Sequence, residues 1–278
     1  MTNVLVTYIY PQAIDYIENF VESINLQTCN NFKLIVFNDG MLDASKHFKN
    51  SLFEYEIIPT KANNPASVRA ASLEYLSANE KIKKIVFQDI DDFSSKNRME
   101  VLLNALESYS LVCNDLTTFN ITGIIEEHTW AQRLKETYHF QWNFIRNKNI
   151  VGLGNTGIRS SVLKQAIHHS NEVIAFDWFL FYQLMKLTNL TAAFTSQCQT
   201  LYRQHESNIA GVTSQVGKER LAHVFNVKKK HFTELVNFGF AELNTELETL
   251  ESKKDQIKNV QNLLVTKPLF WWEETELL

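Results

Sequence analysis

Short apolar runs alternate with amphipathic stretches over the first 110 residues of the chain. Val4 to Tyr10 reads as a first strand, which Pro11 breaks. Beyond it Ile14, Ile17, Val21 and Ile24 fall at helical spacing with Phe20 beside them, the stripe of a helix that covers a sheet. Phe32 to Phe37 reads as a second strand and ends in the turn residues Asn38-Asp39-Gly40. Tyr55 to Ile58 is a short third strand, and Ser67 to Leu76 a helix with Arg69 near its start. Ile85-Val86-Phe87 is the core of a fourth strand, apolar on both faces, and Lys96 to Ser108 another helix. This alternation predicts an α/β fold built on a mostly parallel sheet with right-handed crossovers.

Beyond residue 110 the pattern is less regular. Leu111 to Thr122 contains strand-like pieces, and Glu126 to Asn149 has no readable code. Helices are predicted over Ser161 to His168 and Phe176 to Leu187, and two strands around Thr191 to Phe194 and Gln199 to Tyr202. Arg203 to Gly217 is polar and aperiodic and reads as a mobile loop. From Lys218 the chain reads as helix only. Leu243, Leu250, Ile257 and Leu264 recur every seven residues as one apolar stripe, which packs on the body or on a second subunit. Phe270-Trp271-Trp272 is the oddest surface candidate, read as packing or a dimer contact, with a membrane-interface or acceptor contact as the alternative.

Composition narrows the classes. Hydrophobic residues make up 45%, charged residues 21%, and the net charge is -4, so no basic field argues for nucleic acid. Cys29, Cys113 and Cys198 are odd in number and far apart, which suits free thiols in a reducing compartment. The start of the sequence has no signal-peptide pattern, and no run approaches the roughly 20 apolar residues of a membrane span. The expectation is a cytoplasmic protein, with room for peripheral contact at the inner face of a membrane.

Candidate chemistry begins at the fourth strand, where Asp89, Asp91 and Asp92 stand within four residues. Open α/β sheets bind ligands beyond the carboxyl ends of their strands, so these acids face a ligand rather than a core. Carboxylates this close repel one another unless a cation or a set of donors offsets the charge. Mg2+ or Mn2+ held by one or two carboxylates completes its shell with water and substrate phosphates, so the stretch implies a phosphorylated ligand. Asn38-Asp39 ends another strand at the same edge. Gly152-Leu153-Gly154-Asn155-Thr156-Gly157 holds three of the eight glycines, hence a turn or a close approach to ligand. It has neither the dinucleotide spacing nor a phosphate-loop Gly-Lys-Ser/Thr.

In their order these residues resemble the GT-A glycosyltransferases of family 2, which transfer sugars from nucleotide diphosphates. Tyr10, with a helix ending Ser23-Ile24-Asn25-Leu26-Gln27-Thr28, is similar to the family's opening strand and S-L-x-x-Q-T helix end. Asn38 to Asp43 resembles D-D-G-S-x-D, Ala66 to Ala71 resembles A-R-N, and Asp89-Ile90-Asp91-Asp92 matches D-x-D-D. Gly154 to Arg159 is similar to G-N-x-x-x-R, Asp177 to the acid of E-D, and Tyr202-Arg203-Gln204-His205 to Y-R-x-H. The resemblance spans Val4 to Asn208. It implies a GT-A domain over 1–217, with a nucleotide-binding half to 110 and an acceptor half after it, then a helical extension over 218–278.

Residue by residue, the family implies Tyr10 and Arg69 at the nucleotide, Asp39 on the base and Asp89 on the ribose. It further implies Asp91 on a Mn2+ or Mg2+ ion bridging the diphosphate, Asp177 as general base, and His205 on the metal or diphosphate. The implied activity is inverting transfer from a nucleotide-sugar donor to a saccharide or lipid-linked saccharide, in polysaccharide or glycan assembly. The Arg203 to Gly217 loop would close over donor, and the C-terminal helices would serve a homodimer. The sequence departs from the family pattern at Pro11 for Asn, Asn38 for Asp, Met41 for Ser, Ala70 for Asn and Phe176 for Glu. These departures leave a non-catalytic binding or scaffold protein as the alternative. A sugar nucleotidyltransferase ranks lower, because Tyr8 to Ile14 offers no Gly-rich, basic loop for a triphosphate.

Overall fold

The computed structural model describes residues 2–60, 64–165, 168–205 and 215–278. The first half runs β1 (Thr2–Ile9), α1 (Ile14–Asn25), β2 (Lys33–Asn38), β3 (Tyr55–Pro59), α2 (Pro65–Ala78), β4 (Ile82–Phe87), β5 (Phe93–Ser94) and α3 (Arg98–Ala105). The second half adds β6 (Leu111–Asn120), β7 (Gly123–Glu126), β8 (Thr137–Phe140), β9 (Thr156–Arg159), α4 (Phe176–Thr188) and β10 (Ala192–Arg203). It continues with β11 (Gln215–Val216), α5 (Lys218–Asn237), α6 (Asn244–Ser252), α7 (Lys254–Asn259) and β12 (Leu263–Leu264).

Among the described residues the strands form one ten-stranded sheet, whose main path is β3-β2-β1-β4-β9-β6-β10-β5, and a separate β11-β12 pair. β1 pairs in parallel with β2 and β4, β2 with β3, and β6 with β10, while β9 runs antiparallel between β4 and β6. The expected α/β architecture is therefore present. Its consequence is positional: the carboxyl ends of β1, β2, β4 and β10 and the entry to β9 share one edge.

Alternation of side chains along each strand sorts the core into two layers. Val4 and Val6 pack with Ile35 and Phe37 in one cluster, and Leu5 and Ile9 with Leu34 and Val36 in the other. Helix α1 seals the second layer with Ile17, Phe20, Val21 and Ile24, each burial contributing roughly 1.5–3 kcal/mol. Helix α2 starts cleanly because Pro65 needs no partner for an N–H and Asn64 Oδ1 accepts from the Ser67 N–H at 2.9 Å. Helix α4 is buried along almost its whole length, from Phe176 to Met185, because α5 and the C-terminal segment cover its outer face.

Several local expectations change. Ser161 to His168 is not an α-helix. Ser160–Lys164 forms a 3-10 turn, and residues 166–167 lie outside the described ones. The two strands predicted around Thr191 to Tyr202 are one strand, β10, whose register shifts between Thr195 and Gln199. That bulge breaks the apolar alternation that a sequence reading follows. The tail is not helix only: after α7, Leu263–Leu264 pairs with Gln215–Val216, and Trp271 bridges to Asn149. Leu243, Leu250 and Ile257 pack inside the chain, whereas Leu264 is 76% exposed and leaves the stripe. Phe270, Trp271 and Trp272 are buried rather than surface residues. The expected donor-closing loop falls mainly on 206–214, outside the described residues. Among the described residues, no helix is long and apolar enough to cross a membrane.

Candidate active site

A cavity of about 470 Å3 opens at the shared strand edge. Tyr10, Asp39, Arg69, Asp89, Asp91, Asp177 and His205 all line it, so the structure brings together every site residue named from the sequence. Tyr10 and Asp39 follow β1 and β2, the acids follow β4, and His205 follows β10. Arg69 rides on the first turns of α2, and Asp177 on the first turn of α4.

The acidic turn is electrostatically frustrated. Burial pushes the Asp89 carboxyl up to about 7, with Arg69 opposing and Asp91 adding to the shift. Burial, reinforced by Asp91 and Asp89, raises Asp92 well above the usual carboxylate range. Asp92 Oδ1 accepts from the Arg203 N–H at 2.8 Å, while its Oδ2 is buried without a hydrogen-bond partner among the described residues. Behind the turn lies Arg98, wholly buried, which donates to Asn114 Oδ1 at 2.8 Å, Phe87 O at 2.8 Å and Gly154 O at 3.0 Å. Burial lowers its guanidinium to about 10, still charged at neutral pH. This one cation ties the end of β4 to the glycine turn before β9.

That turn is locked from within. Asn155 Oδ1 accepts from the Gly152 N–H at 2.8 Å, and Asn155 Nδ2 donates to Asn114 O at 2.8 Å. Gly154 leaves room for Asp89: a Cβ there would stand 2.6 Å from Asp89 Oδ2, which would have to shift. The next amide in the turn, Leu153 N–H, donates to Asp177 Oδ2 at 3.0 Å. Asp177 Oδ1 makes no hydrogen bond among the described residues and stands 3.6 Å from Arg69 Nη1. The carboxylate is thus held in place by one oxygen, with the other directed by a single cation.

Asp91 Oδ2 and His205 Nε2 are 3.1 Å apart, and Arg203 Nε holds the Asp91 carbonyl at 2.8 Å. Among the described residues no three His, Cys, Asp or Glu side chains converge as a ready cage. One carboxylate and one imidazole suit a Mg2+ or Mn2+ ion that takes its other ligands from water and phosphate. That two-residue donor set fits such an ion.

Two departures from the family pattern have local reasons. Asn38 Oδ1 accepts from the Met41 N–H at 2.8 Å and its Nδ2 donates to Met41 O at 2.9 Å, a second bond that a carboxylate has no proton to make. Phe176 is a buried wall of the cavity. Sequence reasoning missed Arg98, whose role depends on long-range partners. It read Trp271 and Trp272 as packing or a dimer contact, with a membrane-interface or acceptor contact as the alternative; both line the cavity.

A mixed sheet with an acidic strand end, an adjoining His and a carboxylate on a facing helix is the arrangement expected of a GT-A glycosyltransferase. The sequence model of glycosyl transferase family 2 matches residues 4–167, more than half of the chain, and the protein belongs to that family. Its structure is similar to residues 1–349 of S. aureus TarS in complex with UDP, with TM-score 0.61 and 15% identity over 91% of this chain and 71% of that one. The same region of TarS in complex with UDP-GlcNAc gives TM-score 0.57 and 15% identity over 84% and 66%. For a further S. aureus TarS structure the TM-score is 0.56 at 16% identity, and this chain spans 40% of that chain's length. No curated protein matches the chain by sequence.

Proposed function

We propose that this glycosyltransferase moves a sugar from a UDP-linked donor to the hydroxyl of a saccharide or lipid-linked saccharide, with inversion at the anomeric carbon. The observation that carries the reading is the convergence on one cavity of Asp39, the Asp91–His205 pair and Asp177. Asp39 and Tyr10 bind the nucleotide end, Asp89 the ribose, and Arg69 the nucleotide from α2. Asp91 and His205 hold the cation. When bound, Mn2+ or Mg2+ offsets the negative charge that grows on the departing diphosphate.

Asp177 takes the proton of the acceptor hydroxyl as it attacks, a role worth about 10²–10⁴ in rate. Leu153 N–H fixes one oxygen of that carboxylate and Arg69 faces the other, which sets its direction at the cavity wall. Attack from the side opposite the diphosphate inverts the anomeric carbon in one displacement. The TarS complexes support a uridine donor, and UDP-GlcNAc is the first to try. The test is UDP release from UDP-GlcNAc and other UDP-sugars with Mn2+, with the linkage of the product read by proton NMR. A β-linked product from an α-linked donor is expected. No UDP release from any donor, or an α-linked product, rejects the reading.

A further inference from the structure

The sheet order lays the site out as a line. Asp39 follows β2, Tyr10 follows β1, the acids follow β4, the glycine turn enters β9, and Tyr202 lies near the end of β10. Nucleotide contacts occupy the β2 end. At the other end Trp271 meets Tyr202, with ring centroids 5.9 Å apart, and stands so close to the glycine turn that a Cβ on Gly152 would come within 2.7 Å of its ring. The next residue in that turn, Leu153, holds Asp177. Trp271 and Trp272 therefore lie where the attacking hydroxyl must arrive. Both lie beyond residue 167, where the family match ends, and belong to the last residues of the chain.

Considerable structure is spent on holding them there. Backbone bonds of 2.8 and 3.0 Å join Trp271 to Asn149. Arg133 pairs with Glu273, Arg220 Nε donates to Glu274 Oε1 at 2.7 Å, and Lys228 Nζ to Glu276 Oε1 at 2.7 Å. Trp130 supports Trp271 edge-on at 4.7 Å. Two features remain unexplained by packing alone. Trp272 has φ +67°, a left-handed backbone that is costly for a bulky side chain and collects at ligand sites. The Trp271 indole N–H is buried and has no acceptor among the described residues.

We infer that Trp271 and Trp272 wall the acceptor subsite, where a pyranose ring of the acceptor saccharide lies against the small part of the indoles that faces the cavity beside Asp177. The inference rests on the glycosyl-transfer reading above and names its acceptor class. The C–H groups of a pyranose pack against the indole carbons at the cavity wall, while the ring hydroxyls supply acceptors for an unpaired N–H.

The test uses the full chain, UDP-GlcNAc with Mn2+ as donor and p-nitrophenyl glycosides of common hexoses as acceptor probes. Trp271→Ala and Trp272→Leu are each expected to raise the acceptor KM at least tenfold more than they raise the donor KM. Trp271→Phe, which keeps the packing and loses the N–H, gives a smaller rise in the same direction and serves if the alanine variant fails to fold. Equal changes in the two KM values overturn the subsite, as does donor turnover by the wild type that no sugar in the panel accelerates. A wild type that neither binds UDP nor turns over any UDP-sugar overturns the glycosyl-transfer reading itself.

Discussion

Gly154→Ala tests the packing of the acidic turn with one methyl group. The new Cβ would stand 2.6 Å from Asp89 Oδ2, against an ordinary contact of at least 3.4 Å, so about 0.8 Å must be found. The backbone cannot easily retreat. Gly154 O accepts from Arg98 Nη2 at 3.0 Å and from Thr200 Oγ1 at 3.2 Å, and the neighbouring Asn155 side chain is fixed to Asn114. Asp89 is the part that moves. Overpacking of this kind costs about 1–3 kcal/mol of stability, and a displacement approaching 1 Å at a substrate contact costs about 10²-fold in rate. We expect urea denaturation to show that loss of stability, and kcat/KM for the UDP-sugar to fall by about 10². Removing the clash in the double variant Gly154→Ala/Asp89→Ala should return most of the stability but none of the donor affinity. A Gly154→Ala enzyme with wild-type stability and donor kcat/KM within twofold of wild type would refute the argument.

Asp177→Asn keeps a side-chain oxygen for the Leu153 N–H but cannot take a proton, so steady-state kinetics should show kcat lower by about 10²–10⁴ with UDP affinity little changed. An equal loss of UDP affinity would place Asp177 in donor binding instead. His231 is buried, stacked on Trp178 at 3.7 Å, and neither ring nitrogen has a hydrogen-bond partner among the described residues. Burial, with Lys228 adding to it, pulls its pKa well below the usual value, so it stays neutral in the native chain. Stability is then full above about pH 6.5 and falls below it, as the unfolded chain binds a proton the native one does not, by up to about 1.4 kcal/mol per pH unit. In denaturation curves across pH 5 to 8, roughly the window of that titration, His231→Leu should lack this part of the slope. Parallel pH profiles for variant and wild type would contradict it.

How much the sequence disclosed follows from where each signal is stored. The nucleotide half was readable because strands buried on both faces are written as short apolar runs, such as Ile85-Val86-Phe87, and acids at their ends have no packing reason to be there. Asp39 and the acids after β4 were nameable because they end such strands, whereas Tyr10, Arg69, Asp177 and His205 were named through the resemblance to the family's motifs; all seven line the cavity. Helix α4 was predicted over Phe176 to Leu187 and runs over Phe176–Thr188, but its burial on all sides was not legible, since an all-apolar run has no polar face to show which side is covered. Arg98 opens α3 and carried no signal in the sequence; its partners lie in β4, at Gln88 just after it, in β6 and in the glycine turn. Phe270-Trp271-Trp272 was conspicuous but could not be placed, because its route into the cavity depends on ion pairs to Arg133, Arg220 and Lys228 far back in the chain.

The central claim is that Asp91 and His205 present a cation to the diphosphate of a uridine nucleotide. The most direct measurement is the melting temperature of the purified chain with UDP, with and without Mn2+, for wild type and Asp91→Ala. UDP at about 100 times its dissociation constant adds about 2.7 kcal/mol, which for a chain of this size is a rise of about 5 °C. The account predicts that rise for the wild type only when Mn2+ is present, and its disappearance in Asp91→Ala. A shift of the same size without metal, or one that survives Asp91→Ala, would contradict it.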